Sequence, residues 1–219
     1  MNIPIDVQKT YDLISSNLSD GDDYIKKYYD EKADGYDYFI FETLYILGKR
    51  MAENTHGFIG PGPGLKCIDF GCGTGEVGIN LRRLGSQMQI DGFDISTKML
   101  KKSEVKSQKT LIYDNLIEGN IKKIDSSLSG NYDVAISAGL FTKLHAGVSE
   151  LDSVISVLKS GGVAFISVKR ECFTDEKYSE RIEELVLNET IKGVDLSSTR
   201  MWNVDSYSEL ADIVRFEKV

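Results

Sequence analysis

The feature that most constrains this chain is a regular alternation of short apolar runs with amphipathic segments after residue 64. The apolar runs read "LKCIDF", "MQIDGF", "LIYDNLI", "YDVAISA" and "GVAFISV", and helical periodicity follows most of them, with helices predicted from Glu76 to Leu84, from Ser96 onward and up to Leu158. Strands that alternate with helices of about 10 to 15 residues predict βαβ units and a parallel sheet.

The last forty residues break this alternation. After a helix predicted from about Asp175 to Lys192, "VDLSSTRMWNV" and "ADIVRFEKV" have strand character, with no room for a helix between them. Two strands joined so closely pair antiparallel. The sequence therefore predicts an α/β fold, a Rossmann-like three-layer αβα sandwich with a seven-stranded, mostly parallel sheet whose last strand is antiparallel.

A composition break divides the chain near its first quarter. "GFIGPGPG", residues 57–64, contains four glycines and two of the three prolines, which end the helical pattern before it. Ahead of it, Val7, Tyr11, Ile14 and Leu18 repeat at helical spacing, and helices are also predicted over residues 22–34 and "YFIFETLYILGKRMA". We predict a helical N-terminal cap over 1–56, a Gly/Pro linker over 57–64 and a catalytic core over 65–219.

Charge and cysteine content limit the partners and the compartment. The formal net charge is −8 and the pI is near 4.9, so a chain of phosphates is repelled on average and no nucleic-acid partner is expected. The basic residues that do cluster have helical spacing and read as a solvated face, namely Lys98, Lys101, Lys102, Lys106 and Lys109. Three cysteines and the lack of a signal peptide or long apolar stretch predict a cytoplasmic protein without a membrane segment.

The first βα turn reads "DFGCGTGEVG", residues 69–78, and contains G-x-G-x-x-G at Gly73, Gly75 and Gly78. Such glycines let backbone amides approach a ligand at a helix N-terminus, and an acidic residue about 20 positions further on binds ribose hydroxyls, a role that Asp94 fills for either of two cofactors. Asp69 separates the two, because a carboxylate facing the turn opposes a pyrophosphate but suits a cofactor with a sulfonium and an ammonium group. The pattern favours S-adenosylmethionine over NAD.

Several segments resemble the class I S-adenosylmethionine-dependent methyltransferases. "CIDFGCGTGEVG", "IDGFDISTKML", "YDVAISAGLFTKLHAG" and "VLKSGGVAFISVKRE" are similar to that family's motifs, in the same order over about residues 64–172. More narrowly, "YYDEKADGYD" and "SAGLFTKLH" resemble the methyltransferase-like family named for the Williams–Beuren region. Lys32 stands where the narrower family has Trp.

The resemblance implies residues for the cofactor and its product, S-adenosylhomocysteine. The methionine part is expected at Asp69, Gly71, Gly73 and Gly75, the ribose at Asp94, and the adenine between Ile95 and Met99, although core packing is an equal alternative for Met99. Asn120 stands where the family often has an acid that accepts a hydrogen bond from the adenine amino group, and its amide oxygen can still accept one. The other residues expected around the cofactor are Cys72, as a small filler, Ile121 and Ala138.

Two further groups have both a functional and a structural interpretation. Tyr29 and Tyr36 belong to a tyrosine-rich stretch that forms either a half-buried helix face or, as the resemblance implies, a lid over the cofactor that excludes water and faces the sulfonium. His145 follows the fourth strand at the carboxyl edge and is the candidate general base, with no catalytic role as the open alternative. Lys143 is a second candidate base, Cys172 and Asp175 are expected on the acceptor side, and no metal site is expected.

These features predict methyl transfer to oxygen or nitrogen of a small molecule by a monomer or homodimer. The N/D/S-P-P-Y/F/W segment of base-amine and glutamine methyltransferases is replaced by "SAGLF". Two alternatives stay open, a non-catalytic S-adenosylmethionine-binding module that activates a partner and an NAD-dependent oxidoreductase. Asp69 and the lack of room for a second substrate domain disfavour the latter.

Overall fold

The computed structural model describes residues 21–143, 145–175, 177–203 and 209–219. The helix predicted around Val7 to Leu18 lies outside these ranges. The helices are α1 Gly21–Lys32, α2 Tyr36–Thr43, α3 Leu47–Ile59, α4 Glu76–Arg83, α5 Thr97–Ser107, α6 Leu151–Val157, α7 Arg170–Asp175 and α8 Tyr178–Leu187. The strands are β1 Lys66–Phe70, β2 Gln89–Asp94, β3 Asn115–Glu118, β4 Tyr132–Phe141, β5 Leu158–Lys169, β6 Ile191–Arg200 and β7 Leu210–Lys218. Short 3₁₀ turns cover Ile121–Lys123, Ser126–Leu128 and Val148–Glu150.

The seven strands form one sheet in the order β3-β2-β1-β4-β5-β7-β6. Strands β1 to β5 pair in parallel, and β7 inserts between β5 and β6 and is antiparallel to both. The predicted seven-stranded sheet with an antiparallel last strand is confirmed. Because β1 lies between β2 and β4, the loops that follow these three strands meet at one edge of the sheet.

Helices cover both faces of the sheet, because side chains alternate along each strand. On one face, Cys67 of β1 packs with α3, α4 and α5 through residues such as Met51, Leu81 and Leu100. On the other face, the next residue, Ile68, belongs to a core with α6, α7 and α8. Helix α3 is therefore part of the sandwich, whereas α1 and α2 lie over the carboxyl edge.

Two predicted helices end differently in the structure. "YFIFETLYILGKRMA" is two helices, because Leu44 has a φ of 54° and Tyr45 forms a bridge with Trp202 of the C-terminal region. The helix predicted to reach Lys192 ends at Leu187, since the chain joins the sheet at Ile191. In both cases pairing with a distant strand or loop prevails over local helical periodicity.

The predicted linker begins inside a helix. Helix α3 continues to Ile59, and Gly60 caps it. The division into cap, linker and core stays a prediction, and the packing of α3 restricts the candidate lid to α1 and α2. Among the described residues, no helix is long and apolar enough to cross a membrane.

Candidate active site

The glycine loop after β1 forms the floor of a cavity at the carboxyl edge of the sheet. Gly71 and Gly75 have φ values of 69° and 100°, a region that favours glycine. A Cβ at Gly71 would lie 3.3 Å from the side chain of Leu140. The loop can therefore follow the strand closely and expose its backbone amides, as a ligand cradle at a helix N-terminus requires.

Asp69 lies behind this loop and does not line the cavity. It points to the same face of the sheet as Cys67, where the Tyr113 hydroxyl donates to its Oδ2 at 2.6 Å. Its Oδ1 is buried and has no hydrogen-bond partner among the described residues. Burial raises the pKa of Asp69 to about 7, against the opposing effect of the Tyr113 hydrogen bond.

Asp94, at the end of β2, ties two backbone segments to the cavity. Its Oδ2 accepts a hydrogen bond from the Gly73 amide and its Oδ1 accepts one from the Ser96 amide, both at 2.8 Å. Ser96 in turn caps α5 by accepting from the Met99 amide, so the predicted start of that helix is correct. Burial raises the pKa of Asp94, and the backbone amides oppose the rise. An aspartate in this position can accept further hydrogen bonds from a pair of hydroxyls.

The end of β4 carries the wall opposite Asp94. The register between β4 and β5 shifts between Ser137 and Phe141, which marks an irregularity of the kind found near active sites. Gly139 has a φ of 76° within this stretch, and its amide donates to the Ser167 hydroxyl at 2.9 Å. The shift turns Ala138, Gly139 and Leu140 toward the cavity.

His145 lies between a cap residue and the end of β4. Its Nε2 is 3.1 Å from the Tyr29 hydroxyl, and its Nδ1 is 2.7 Å from the Thr142 hydroxyl. Desolvation, with a smaller effect from the charge of Lys122, lowers the pKa of His145 to about 4. The imidazole is therefore neutral near pH 7, when one ring nitrogen donates and the other accepts.

Charged side chains of helices α1 and α2 form hydrogen bonds with the core below them. Asp30 accepts hydrogen bonds from the Ser96 hydroxyl and the Lys98 amide, at 2.7 and 3.0 Å. Asp37 accepts from the Thr74 hydroxyl at 2.6 Å and from Lys106 at 2.7 Å. The two aspartates that follow Tyr29 and Tyr36 in the sequence thus hold the cap over the β2–α5 loop and the glycine loop.

The resulting cavity is open to solvent, and its volume is about 1020 Å³ when the solvent-filled mouth is included. Most of the residues predicted to bind the cofactor or act in catalysis line it: Gly71, Cys72, Gly73, Asp94, Ile95, Met99, Asn120, Ile121, Ala138, Tyr29, Tyr36 and His145. Gly75, like Asp69, is not on the wall. The roles assigned to these residues stay predictions.

Other residues around the cavity were not assigned a role from the sequence. The cap contributes Asp22, Ile25, Ile40 and Tyr45, and the core contributes Thr74, Glu76, Leu140 and Lys122. A single sequence does not show which face of a cap helix meets the core. Asp30 and Asp37, the aspartates of the repeated Tyr-Asp pair, are part of a motif in the sequence. Their contacts with Ser96 and Thr74 depend on tertiary packing and could not be predicted from it.

Several residues lie elsewhere than the sequence suggested. Cys172 is fully buried in the core rather than on the acceptor side. Lys143 does not line the cavity, and its ion pair with Asp175 raises its pKa. Lys102 pairs with Asp34 in solvent, as the predicted solvated face implies. Lys106 is the exception, since it is 28% exposed and donates to Asp37 and to the Thr74 carbonyl. Burial raises the pKa of Cys72 well above its usual value, which fits a neutral filler. No group of metal-ligating side chains occurs in the ranges that the structure describes.

Comparison with known proteins identifies the family. Residues 61–205 match the family described as "Methyltransferase domain", which is well over half of the chain. Magnesium-protoporphyrin O-methyltransferase from Synechocystis sp. is 34% identical over 98 residues, which cover 45% of this chain and 40% of that relative. The chain thus matches less than half the length of this curated relative.

Two solved structures share the fold. One from Methanococcus maripaludis, provisionally described as an S-adenosylmethionine-dependent methyltransferase, has a TM-score of 0.62 and 19% identity over 87% of this chain and 93% of that one. Magnesium protoporphyrin IX methyltransferase from Synechocystis with bound S-adenosylhomocysteine has a TM-score of 0.59 and 17% identity over 88% and 98%. These comparisons support S-adenosylmethionine as the cofactor. The chain belongs to the methyltransferase domain family.

Proposed function

We propose that this protein transfers a methyl group from S-adenosylmethionine to an oxygen or nitrogen atom of a small molecule. The observation that carries the proposal is that one cavity joins a wall suited to a nucleoside to a partly buried hydrogen-bonded pair. Asp94 and the glycine loop form the wall, and Tyr29 and His145 form the pair. Neither feature alone distinguishes methyl transfer from simple binding of a nucleoside.

The residues on the wall fit the cofactor. Asp94 is an acceptor for two ribose hydroxyls, Ile95 and Met99 offer apolar contact to adenine, and the open glycine loop leaves room for the methionine part. Above its pKa of about 7, the buried carboxylate of Asp69 places a negative charge below the loop, which favours a cationic cofactor over a pyrophosphate. When bound, S-adenosylmethionine supplies an electrophilic methyl group on a sulfonium.

The protein's own contribution is alignment, exclusion of water and proton acceptance. Alignment of an acceptor atom with a methyl group can lower the barrier without any covalent participation of the protein. Where the acceptor carries a proton, neutral His145 can take it, either directly at Nε2 after Tyr29 moves aside or through the Tyr29 hydroxyl. The hydroxyl of Thr142 holds the other ring nitrogen and so fixes the ring orientation.

The remaining wall of the cavity supports a small and largely apolar acceptor. Ile25, Ile40, Tyr45 and Leu140 give apolar contact surface. Among the described residues of the wall, the carboxylates of Asp22, Glu76 and Asp94 outnumber the single lysine, Lys122. Such a wall repels a phosphate chain, which supports a metabolite rather than a nucleic acid.

Helices α1 and α2 act in this proposal as a lid. Tyr36 lies over the glycine loop, with its Cε1 4.0 Å from the place where a Cβ of Gly73 would stand. Tyr29 packs edge-on against Tyr36, with ring centroids 6.3 Å apart. This use of both Tyr-Asp pairs supports membership of the narrower Williams–Beuren-region family. The chain departs from that family at Lys32, which stands where the family has Trp and whose Nζ lies 5.8 Å from the centroid of the Tyr28 ring.

The decisive experiment is a screen of fractionated metabolite pools for release of S-adenosylhomocysteine, with calorimetric titration of S-adenosylmethionine and NAD alongside. We expect binding of S-adenosylmethionine, no binding of NAD, and release with at least one fraction. For an acceptor that carries a proton, release should slow at least 100-fold in His145→Asn, on the order expected for loss of a general base, while cofactor binding persists. Binding without release from any fraction would favour the non-catalytic module, and binding of NAD alone would refute the proposal.

A further inference from the structure

The amide of Asn120 is already engaged on both sides within the protein. Its Oδ1 accepts a hydrogen bond from the Lys122 amide at 2.9 Å, which caps the 3₁₀ turn after β3. Its Nδ2 donates to Oδ2 of Asp22, in the first turn of α1, at 2.8 Å. The amide oxygen is thus oriented by its own turn, and the amide nitrogen is oriented by the cap.

Asp22 brings a carboxylate to the same part of the cavity. It lines the wall together with Asn120, Ile121 and Lys122, and its side chain is 31% exposed. Its Oδ1 accepts from Nζ of Lys122 at 2.7 Å. This hydrogen bond is the main reason that the pKa of Asp22 lies below its usual value, so the group is ionised at neutral pH. A carboxylate offers about four lone-pair sites, and the contacts of Asp22 with the described residues use two of them.

The surroundings suit the edge of a purine. Ile95 and Met99 lie on the β2 side and Ile121 on the β3 side, with Asp94 next along the wall where ribose would lie. An adenine between these apolar side chains would present its 6-amino group, a donor, toward the loop of Asn120. A donor there needs an acceptor with free lone pairs, and the ionised carboxylate of Asp22 is a stronger acceptor than an amide oxygen that is already bonded.

We infer that Asp22, supplied by the cap, accepts the hydrogen bond from the 6-amino group of the cofactor's adenine, and that Asn120 positions the carboxylate. This inference rests on the proposed cofactor. It gives the cap a role in cofactor recognition as well as in covering the site. It also means that full selectivity for adenine over hypoxanthine, whose 6-position is a carbonyl, exists only when α1 is in place.

The test compares two ligands by calorimetry, S-adenosylhomocysteine and S-inosylhomocysteine, which lacks the 6-amino donor. The variant is Asp22→Asn, and the control is Asp34→Asn, which removes another ion pair between cap and core, to Lys102, away from the cavity. We expect Asp22→Asn to weaken the binding of S-adenosylhomocysteine at least tenfold, because a charge-assisted hydrogen bond is lost. The affinity for S-inosylhomocysteine should stay within about twofold of its value in the unaltered protein. The control variant should leave the affinity for both ligands unchanged.

A second variant guards against a general disturbance of the cap. The exchange Asp22→Asn with Asn120→Asp keeps one carboxylate and one amide at the same place, so it should restore most of the preference for the adenine ligand. If Asp22→Asn weakened the binding of both ligands equally, Asp22 would serve only to hold the cap on the core. That result would overturn this inference and leave the proposed function standing. If the unaltered protein bound neither ligand, the proposed cofactor would fail and the inference with it.

Discussion

The Tyr29 hydroxyl lies 3.1 Å from Nε2 of His145, although 116 positions separate the two residues in the chain. Their rings are also in contact, with centroids 5.4 Å apart. The contact joins α1 of the cap to the loop after β4, on the wall of the cavity. If His145 accepts the proton, as we propose, its contact with Tyr29 exists only while the cap covers the site.

The first prediction concerns this pair. His145→Asn should reduce the rate of transfer to a hydroxyl acceptor by about 10²- to 10⁴-fold, the usual contribution of general acid–base catalysis. Tyr29→Phe should cause a loss of the same size if the proton passes through the Tyr29 hydroxyl, and a much smaller loss if His145 takes it directly. Binding of S-adenosylhomocysteine should change much less. Steady-state kinetics and calorimetry measure the two effects, and Tyr38→Phe is the control, since Tyr38 is 64% exposed. Unchanged rates in His145→Asn would remove the base from the mechanism.

The second prediction is the position of the acid limb of the pH–rate profile. An ordinary histidine has a pKa near 6.5, but the pKa of His145 is lowered to about 4. The folded protein therefore keeps the imidazole neutral until the pH falls below about 5. With S-adenosylmethionine saturating at every pH, we expect kcat/KM for the hydroxyl acceptor to be level from about pH 8 to 5.5 and to fall only below that. A fall centred near pH 6.5 would show that His145 is solvated during turnover.

The third prediction separates two functions of Asp94. Asp94→Ala should weaken the binding of S-adenosylhomocysteine at least tenfold, because a carboxylate that binds two hydroxyls contributes on the order of 2–3 kcal/mol. It should also destabilise the protein, since the amides of Gly73 and Ser96 lose their acceptors. Asp94→Asn keeps one acceptor oxygen. It should therefore lower the free energy of unfolding by less than it weakens the free energy of ligand binding. Undiminished affinity in both variants, measured by calorimetry, would place the ribose elsewhere.

The fold and much of the cavity wall could be predicted from the sequence, and the reasons for the failures are physical. The periodicity of "LKCIDF" and "MQIDGF" and the glycines from Gly71 onward are local signals, and local signals predicted β1, β2 and the turn between them correctly. The break at Leu44 and the early start of β6 at Ile191 were missed because distant partners, Trp202 and Lys218, cause them. The position of Asp22 was missed for the same reason, as no local pattern shows which core loop a cap residue will contact.

The fourth prediction links Asp69 to stability. Its pKa is about 7 in the folded protein and near 3.8 in the unfolded chain, so between these values the unfolded chain releases a proton that the folded protein keeps. The free energy of unfolding should therefore fall as the pH rises through that window, by an amount on the order of 4 kcal/mol from this group alone. Asp69→Asn lacks the titration. Urea unfolding at pH 4.5 and pH 8 should show the variant gaining stability relative to the unaltered protein at the higher pH. Parallel pH dependences of the two proteins would argue against a perturbed Asp69.

The last prediction tests the lid, which we restrict to α1 and α2 because Leu47, Met51 and Ala52 of α3 belong to the core. A ligand that binds only the closed form stabilises it by RT ln(1 + [L]/Kd), so hydrogen exchange across residues 24–38 should slow when S-adenosylhomocysteine is added. Exchange in β5 should hardly change.

The contacts of Asp30 and Asp37 should set how often this lid opens. Asp30→Ala and Asp37→Ala each remove two hydrogen bonds to the core below, whereas Asp34→Ala removes only an ion pair whose aspartate is 91% exposed. The first two variants should therefore speed exchange across residues 24–38 without ligand by several-fold, and Asp34→Ala should not. Because an open lid also leaves Tyr29 away from His145, the same two variants should lower the rate of transfer in proportion to the added opening. Faster exchange without any loss of rate would mean that the lid closes before transfer regardless of these contacts. Equal protection with and without ligand would mean that α1 and α2 are a fixed part of the fold.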